Sequence, residues 1–519
     1  MIAEEERAKG ASSSLARIGA FFSSSRFLRA LVSSEATFAW AIFFVAFVPR
    51  IAFAIATRGA AVWDGHYYAF GAQRIADGFG YSDDIADGAA LRWHPWCHYP
   101  VGYSGFLGGV LFLARILARS VGVDLAESPV SSLVFPFANA LTGALLALAT
   151  YLLAKTALSE RRARIAGLLV ALHPGLILYS GLVMSEPLAA LLIVLAFLFA
   201  CRARSLRGFL LAGLWLGAGT LVRPQALLCL PFLVLPLLTR GPAFRLRLKR
   251  TLVALVAVVV GTFAPVLPWT ARNCNVMDGC ALVSTNAGWN LAIGASPHAT
   301  GRFDSLRKED GCREVTGQVE QDRCWLHVGL ANIRKTPGRW LALMPEKWSQ
   351  TFDHESFPIE YLREAGRPRP WSESIRTSSR EALTAFHRVL LLLAALGGVA
   401  FVRRGRGARF QMLLGGAVLV LFIAGISHNP SFAWPLVFVA ALLPWLGLVR
   451  GKVPGAPTTS NAALMVSGLL LTTLFTHAVF FGEDRYHVFV VPGLCLLAAS
   501  LFRRGAVRPG DETRQRRGR

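Results

Sequence analysis

The sequence predicts an all-α polytopic membrane protein of about twelve transmembrane helices, with further helices lying along its outer face. Three observations predict it. Hydrophobic residues make up 54% of the 519-residue chain, and the mean hydropathy is +0.47, outside the range of an ordinary soluble protein. Apolar runs of about 17–25 residues, long enough to cross a bilayer, recur from one end to the other. The basic residues fall mostly in short gaps between those runs: Arg161–Arg164, Arg202–Arg207, Arg240–Arg250, Arg403–Arg409, Arg450–Lys452 and the tail from Arg503. A net charge of +23 spread this way is the orientation signal of cytoplasmic loops, not the footprint of a nucleic-acid binder.

In chain order, residues 1–37 are polar, basic and Ser-rich, a cytoplasmic segment without a cleavable signal. Residues 38–269 form an N-terminal transmembrane module, with spans near 38–57, 131–157, 165–182, 186–201, 208–222, 225–239 and 251–269. Its first outer loop, 58–130, is far longer than a return turn requires. Within that loop the run Tyr103 to Leu117 is short and follows Pro100, and crossing would place Arg161–Arg164 outside. It is therefore expected to be a juxtamembrane or re-entrant helix in the outer interface. Residues 270–382 make one long extracytoplasmic loop. Residues 383–502 form a C-terminal module with spans near 383–402, 410–427, 431–449, 461–481 and 487–502, and 503–519 is a basic cytoplasmic tail.

This topology puts both termini inside. It collects Asp64, His66, Asp83, Asp84, His94, His98, Glu186, Arg223, His428, Asn429, Asp484, Arg485 and His487 on the outer side. Ionisable groups at membrane depth are costly and mark functional cavities, so the active surface faces out. Cys274, Cys280, Cys312 and Cys324 share the long outer loop, where disulfides persist. Spacing leaves their pairing open, and Cys97 makes the outer count odd. Cys229 and Cys495 read as small buried hydrophobes. No zinc-ligand spacing, Walker loop, dinucleotide fingerprint or internal repeat occurs.

Asp64 lies in Trp63-Asp64-Gly65-His66-Tyr67-Tyr68, directly after the first span. Desolvation by those aromatics would raise its pKa toward the range of a general base. The plainer reading is an interfacial cap within an aromatic belt. Glu186, in Ser185-Glu186-Pro187, either orients a substrate hydroxyl, holds a cation, or stands at a helix N-terminus with Ser185 as cap. Arg223 occupies a tight outer turn, Leu221-Val222-Arg223-Pro224. An arginine on the cation-poor side suggests an anion, against simple snorkelling. Arg485 with His487, in Glu483-Asp484-Arg485-Tyr486-His487, would clamp a phosphate; the alternative is a turn satisfied by Glu483 and Asp484. Asn286, Trp289 and Asn290 sit in a loop of amides and hydroxyls suited to a sugar.

These motifs also come in a telling order: Asp64 with Tyr67 and Tyr68, then Tyr99-Pro100-Val101-Gly102-Tyr103, Ser185-Glu186-Pro187-Leu188, Leu221-Val222-Arg223-Pro224, Ser284 to Asn290, and Arg485-Tyr486-His487. The set resembles the GT-C superfamily of integral-membrane glycosyltransferases, on the branch with protein O-mannosyltransferases and lipid A aminoarabinose transferases. The resemblance covers approximately 38–502. It implies a polyprenyl-phosphate sugar donor and a lipid, glycan or protein acceptor. It also implies inversion at the anomeric carbon, at the periplasmic face of a bacterial inner membrane. Asp64 maps onto the catalytic acid of the first outer loop. Arg485, His487 and Arg223 would bind the donor phosphate, and Tyr67, Tyr68, Glu186, Tyr99, Asn286, Trp289, Asn290 and Tyr486 would position substrate. Family members often carry a second acidic residue beside the first; here Gly65 stands there, which leaves a divalent cation open. The rival functions are a transporter or flippase, and a polymerase or ligase of lipid-linked glycans.

Overall fold

A computed structural model describes residues 34–87, 90–125, 132–238, 244–366, 371–401, 407–428, 432–449 and 460–502. The expected cytoplasmic segment before 34, the tail from 503, Asn429 and the basic gap at 450–452 lie outside the described residues.

Helix α1 (Glu35–Ala56) begins where Ser34 accepts from the Thr37 backbone N at 3.0 Å. Then come α2 (Asp64–Ala76), a hairpin of β1 (Ser82–Asp87) and β2 (Ala90–Pro95), and α3 (Val101–Ser120). The first module continues with α4 (Val134–Lys155), α5 (Glu160–Ala171), α6 (Pro174–Leu178), α7 (Glu186–Arg202), α8 (Leu206–Val222), a 3-10 segment Pro224–Val234, α9 (Leu235–Leu238) and α10 (Phe244–Val276). A cap of short helices holds α11 (Ala287–Ala295), α12 (Gln318–Lys335), α13 (Pro337–Ala342), α14 (Met344–Phe352) and α15 (Phe357–Glu364). The last module is α16 (Glu373–Val399), α17 (Gly407–His428), α18 (Pro435–Val449), α19 (Asn461–Val479), a 3-10 turn Asp484–Val490 and α20 (Val491–Ala499).

The frame is helical and polytopic, as the hydropathy requires. Among the described residues seven helices are long and apolar enough to cross a membrane, or eight if α5 and the segment from Pro174 to Gly181, bent by 49°, form one span. The other expected spans are shorter or broken. Helices α7 and α8 have 17 residues each. The run 225–239 is largely a 3-10 segment, because Pro224, Pro231 and Pro236 remove the backbone donors an α-helix needs. The hairpin is the one element an all-helical reading omits. Its strands are polar and short, and side-chain pairs fix it: Arg74 donates to both oxygens of Asp84 at 2.6 and 2.9 Å, and His94 Nδ1 meets Asp83 Oδ1 at 2.7 Å.

Packing in the apolar bundle follows membrane rules. Gly213 of α8 faces Gly261 of α10, and one turn on a Cβ on Gly217 would fall 2.2 Å from the Thr262 carbonyl oxygen. Small residues four apart let the two backbones touch. Arg50, fully buried in α1, donates to the carbonyls of Val170 and Ala171 at 2.8 and 2.6 Å. It thereby caps the carbonyls that α5 leaves open where it breaks before Pro174.

Both disulfides lie in the cap and its approach: Cys274–Cys280 and Cys312–Cys324. Cys97, Cys229 and Cys495 are free and buried. The cap closes over a cluster of Trp325, Ile293 and Leu306, with Phe481 and Tyr486 from the far end of the chain.

Helix α3 is longer than the expected 103–117 and passes the same test of length and apolarity as the spans. Its contacts, however, stay at one level. Gly102 abuts Leu221 and Val222 at the C-terminal end of α8. Leu111, Ala114 and Ala118 pack with Val134 and Phe135 at the start of α4. Those two ends lie opposite the basic gaps at Arg202–Arg207 and Arg161–Arg164, which is the packing the juxtamembrane reading of α3 expects. A single cysteine at Val121→Cys should then react with an impermeant thiol reagent added outside, and Arg162→Cys should not; the reverse pattern makes α3 a span.

Candidate active site

Asp64 is the first residue of α2, at the positive end of the helix dipole. The preceding residue, Trp63, has φ 51°, alone among the described non-glycine residues in being positive. That turn aims the carboxylate across the molecule, where Oδ2 accepts from Arg485 Nη1 at 2.5 Å and Oδ1 from the Tyr99 hydroxyl at 2.9 Å. The Asp64 side chain keeps 22% exposure against 10% for Arg485, so a substrate can still reach the acid. Burial pushes the Asp64 carboxyl up, but the charge and hydrogen bond of Arg485, the Tyr99 bond and the Arg223 charge outweigh it. The net result is a carboxyl below its ordinary range. Burial and the facing Asp64 charge push Tyr99 up, so it keeps its proton and donates. His98, behind Tyr99 at a ring distance of 5.0 Å, is held low by burial and stays neutral.

Arg485 is engaged on every side. Its Nε lies 2.5 Å from Glu483 Oε2, close enough for an ion pair but not aligned for a hydrogen bond. Its Nη2 donates to the Tyr486 hydroxyl at 3.3 Å. The expected alternative, a turn satisfied by Glu483 and Asp484, is half realised. Asp484 turns away and accepts from the backbone N of Phe357 at 2.7 Å, the N-terminus of α15.

Arg223 follows α8, where Pro224 stops the helix, and forms an ion pair with the buried Glu186. Its Nε donates to Ser185 Oγ at 3.1 Å, so Ser185 anchors the arginine and makes no side-chain cap on α7. Both guanidiniums lie within cation–π distance of the Tyr486 ring, at 5.0 Å for Arg485 and 5.5 Å for Arg223. Two acid–arginine pairs, one joining the two ends of the chain and one within the first module, thus meet around one tyrosine.

The other expected residues divide. Tyr67, 44% exposed, stacks on Tyr99 at 5.2 Å, and Tyr68 is buried edge-on to Tyr103. Burial raises the Tyr68 phenol to about 12. Trp289 reaches the site through His98, 5.7 Å away, and Asp322 fixes its backbone by accepting from the N–H groups of Gly288 and Trp289. Asn286 precedes α11, with its side-chain oxygen taken by Ser284, and Asn290 lies within that helix. His487 is not in this constellation. It faces the other way along its turn, donates from Nδ1 to the Thr351 carbonyl and stacks on His387, so its role in the phosphate clamp is withdrawn.

Sequence reasoning missed Tyr361. Its buried hydroxyl accepts from Val62 N at 3.2 Å and Val183 N at 3.4 Å, tying the Asp64 turn to the start of α7. It also explains Gly65, where a Cβ would lie 2.4 Å from the Tyr361 hydroxyl and 2.7 Å from the Val183 carbonyl oxygen. No side chain fits there, so a second acid beside Asp64 is sterically barred. A cavity of about 400 Å³ lies behind α2, lined in part by Gln73, Leu111, Arg115, Phe135 and Asn139, and Asp64 is not on its wall. The charge geometry, not the cavity, locates the site.

Gly65→Ala should therefore cost about 1–3 kcal/mol of stability and displace the Asp64 turn. A lower thermal midpoint together with lost activity is the expected result, and Gly65→Asp should be worse; an unchanged midpoint would show that the turn has room.

Residues 121–269 match the family model described as dolichyl-phosphate-mannose-protein mannosyltransferase. That segment, under a third of the chain, contains Glu186 and Arg223 but neither Asp64 nor Arg485. Comparison with curated protein sequences gives no match. Among solved structures, the apo oligosaccharyltransferase of Archaeoglobus fulgidus aligns at 15% identity and TM-score 0.44, over 90% of this chain and 51% of its own. ArnT from Cupriavidus metallidurans, bound to undecaprenyl phosphate, aligns at 14% identity and TM-score 0.33, over 90% of this chain and 79% of its own. The chain spans about half the length of the archaeal enzymes it matches. The family match, set on a polytopic helical frame, supports the resemblance to the GT-C glycosyltransferases that the motifs carry.

Proposed function

We propose that this protein is an inverting glycosyltransferase that moves a sugar from a polyprenyl-phosphate donor to an acceptor hydroxyl at the extracytoplasmic face of a bacterial inner membrane. The observation that carries the reading is the partly exposed Asp64 carboxylate, held by Arg485 beside the Arg223–Glu186 pair. In one displacement the acceptor oxygen attacks the anomeric carbon and its proton passes to Asp64. The bond from that carbon to the phosphate oxygen breaks, and the polyprenyl phosphate leaves with one more negative charge than the diester had. Arg485 lies where that charge gathers, and a preorganised cation there lowers the barrier.

Base and clamp begin as partners. While Arg485 holds Asp64, the carboxylate is a weak base. A donor phosphate drawing Arg485 away removes the strongest opposing influence, and burial then raises the basicity of Asp64. Tyr67, Tyr99 and Trp96 form an aromatic wall beside Asp64 against which the sugar or the acceptor would lie.

Asp64→Asn should lower turnover about 10²–10⁴-fold while donor binding persists; more than half of wild-type turnover would remove Asp64 from the chemistry. The pH dependence carries a further signature. The acid limb of kcat/KM reports the free enzyme, where Asp64 is low, and that of kcat reports the donor complex. The kcat limb should therefore lie at the higher pH, and coincident limbs would mean that donor binding leaves the pair intact.

Arg485→Ala should weaken donor binding by roughly 10–150-fold, the worth of a charge-assisted arginine–phosphate contact. It also strands Asp64 and Glu483, so the thermal midpoint should fall too. Arg485→Lys should recover more of the stability than of the affinity, because an ammonium cannot make a planar two-point contact. Full recovery of affinity by lysine would point to a diffuse charge effect.

A further inference from the structure

The geometry points to a buried transition-metal site formed by Glu355, His387 and His487, separate from the Asp64 constellation. The three residues are 2%, 0% and 0% exposed. One ligand atom from each lies within 4.8 Å of the others. They come from three distant places: the turn between α14 and α15, the middle of α16, and the Asp484–Val490 turn.

The hydrogen bonds fix what each side chain offers. His387 Nε2 lies 3.0 Å from the Phe352 carbonyl oxygen and His487 Nδ1 lies 2.8 Å from that of Thr351. A carbonyl only accepts, so those nitrogens carry the ring protons. His387 Nδ1 and His487 Nε2 are then bare lone pairs, and both are buried without a hydrogen-bond partner, as is Glu355 Oε2. The rings stack at 3.9 Å, so the two imidazoles share one pocket with the Glu355 carboxylate. Three buried acceptors with no donor between them make an unstable arrangement by themselves. One shared proton would satisfy two of them and strand the third; one cation satisfies all three.

The donor set selects the ion. Two neutral imidazoles and a carboxylate suit Zn²⁺ and its first-row neighbours, whereas Mg²⁺ and Ca²⁺ prefer oxygen. Backbone carbonyls holding the far nitrogen of each histidine are the usual support of metal-bound imidazole. The nearby His173 is excluded by the same logic. Its Nδ1 accepts from the Leu176 backbone N at 3.3 Å, which leaves the proton on Nε2. With the ion bound, the site would staple α16 and the cap to the turn that carries Arg485, two residues before His487. The site itself does not depend on what Arg485 binds.

Metal analysis of the full-length protein, purified in detergent without a histidine tag, tests this. About one zinc-class ion per chain is expected. It should be lost in His387→Ala and in Glu355→Gln and retained in Asp64→Asn. Stripping the wild-type protein with a strong chelator should lower its thermal midpoint, and Zn²⁺ but not Mg²⁺ should restore it. That arm needs no variant to fold. A wild-type protein that holds no more metal than His387→Ala after incubation with Zn²⁺, or whose midpoint ignores both chelator and Zn²⁺, overturns the site.

Discussion

The contact between Asp64 and Arg485 joins residues 421 positions apart, and the arrangement of the capped end of the bundle depends on it. It is made between a helix N-terminus in the first outer loop and a 3-10 turn between the last two apolar segments. Burying either charge alone would cost several kcal/mol, so neither element can settle without the other. The aromatic wall of Tyr67, Trp96 and Tyr99 is ordered on one side of the pair, and the Tyr486 ring on the other. Arg223 enters the same field from α8 and brings Glu186 with it.

The rest of the capped end obeys one electrostatic rule, that helix ends meet the opposite charge. Asp322 accepts the first backbone N–H groups of α11, Asp484 those of α15, and Asp353 those that precede α18, from Ala433 and Trp434 at 2.6 Å each. At the other pole, buried Lys347 donates to the closing carbonyls of α19, as Arg50 does for α5. At a membrane boundary these groups lack water on one side, so an unpaired helix end is costlier than in a soluble protein. Charges that look idle in the sequence are therefore fastening the cap to the bundle.

This divides what was legible from what was not. Hydropathy and the placement of arginines reveal the helical bundle, because spans and orientation are one-dimensional signals. Asp64, Glu186, Arg223 and Arg485 were visible as ionisable residues gathered on one side of the spans, the two arginines against the orientation bias, and Tyr99 through its Tyr-Pro-Val-Gly-Tyr motif. Partnership was not visible. Nothing in the spacing says that Arg485 reaches Asp64 instead of only its neighbour Glu483, or that His487, two residues on, faces His387. Gly65 had no meaning until Tyr361, nearly 300 residues later, came to lie against it. The hairpin escaped because its pairing rests on Arg74–Asp84 and not on alternating apolar residues. The disulfide pairs followed sequence proximity, yet spacing alone could not exclude the other pairings.

The charge balance at the site determines how an anion would enter. Arg485 and Arg223 stand among Asp64, Glu186 and Glu483, so the constellation has no surplus of positive charge at rest. A phosphate cannot simply be added; it has to take the place of a carboxylate. Glu186 is sealed, with no exposure and one oxygen already on Arg223. Glu483 keeps 26% side-chain exposure, and desolvation outweighs the neighbouring Arg485 charge to raise its carboxyl. Asp64 and Glu483 both keep a solvent-facing edge, so Arg485 can release either, and the proposed reaction releases Asp64. In the proposed reaction that exchange couples two events: the clamp closes on the donor, and the base is freed in the same step. An enzyme built this way holds its carboxylate unreactive until the sugar it will transfer is in place.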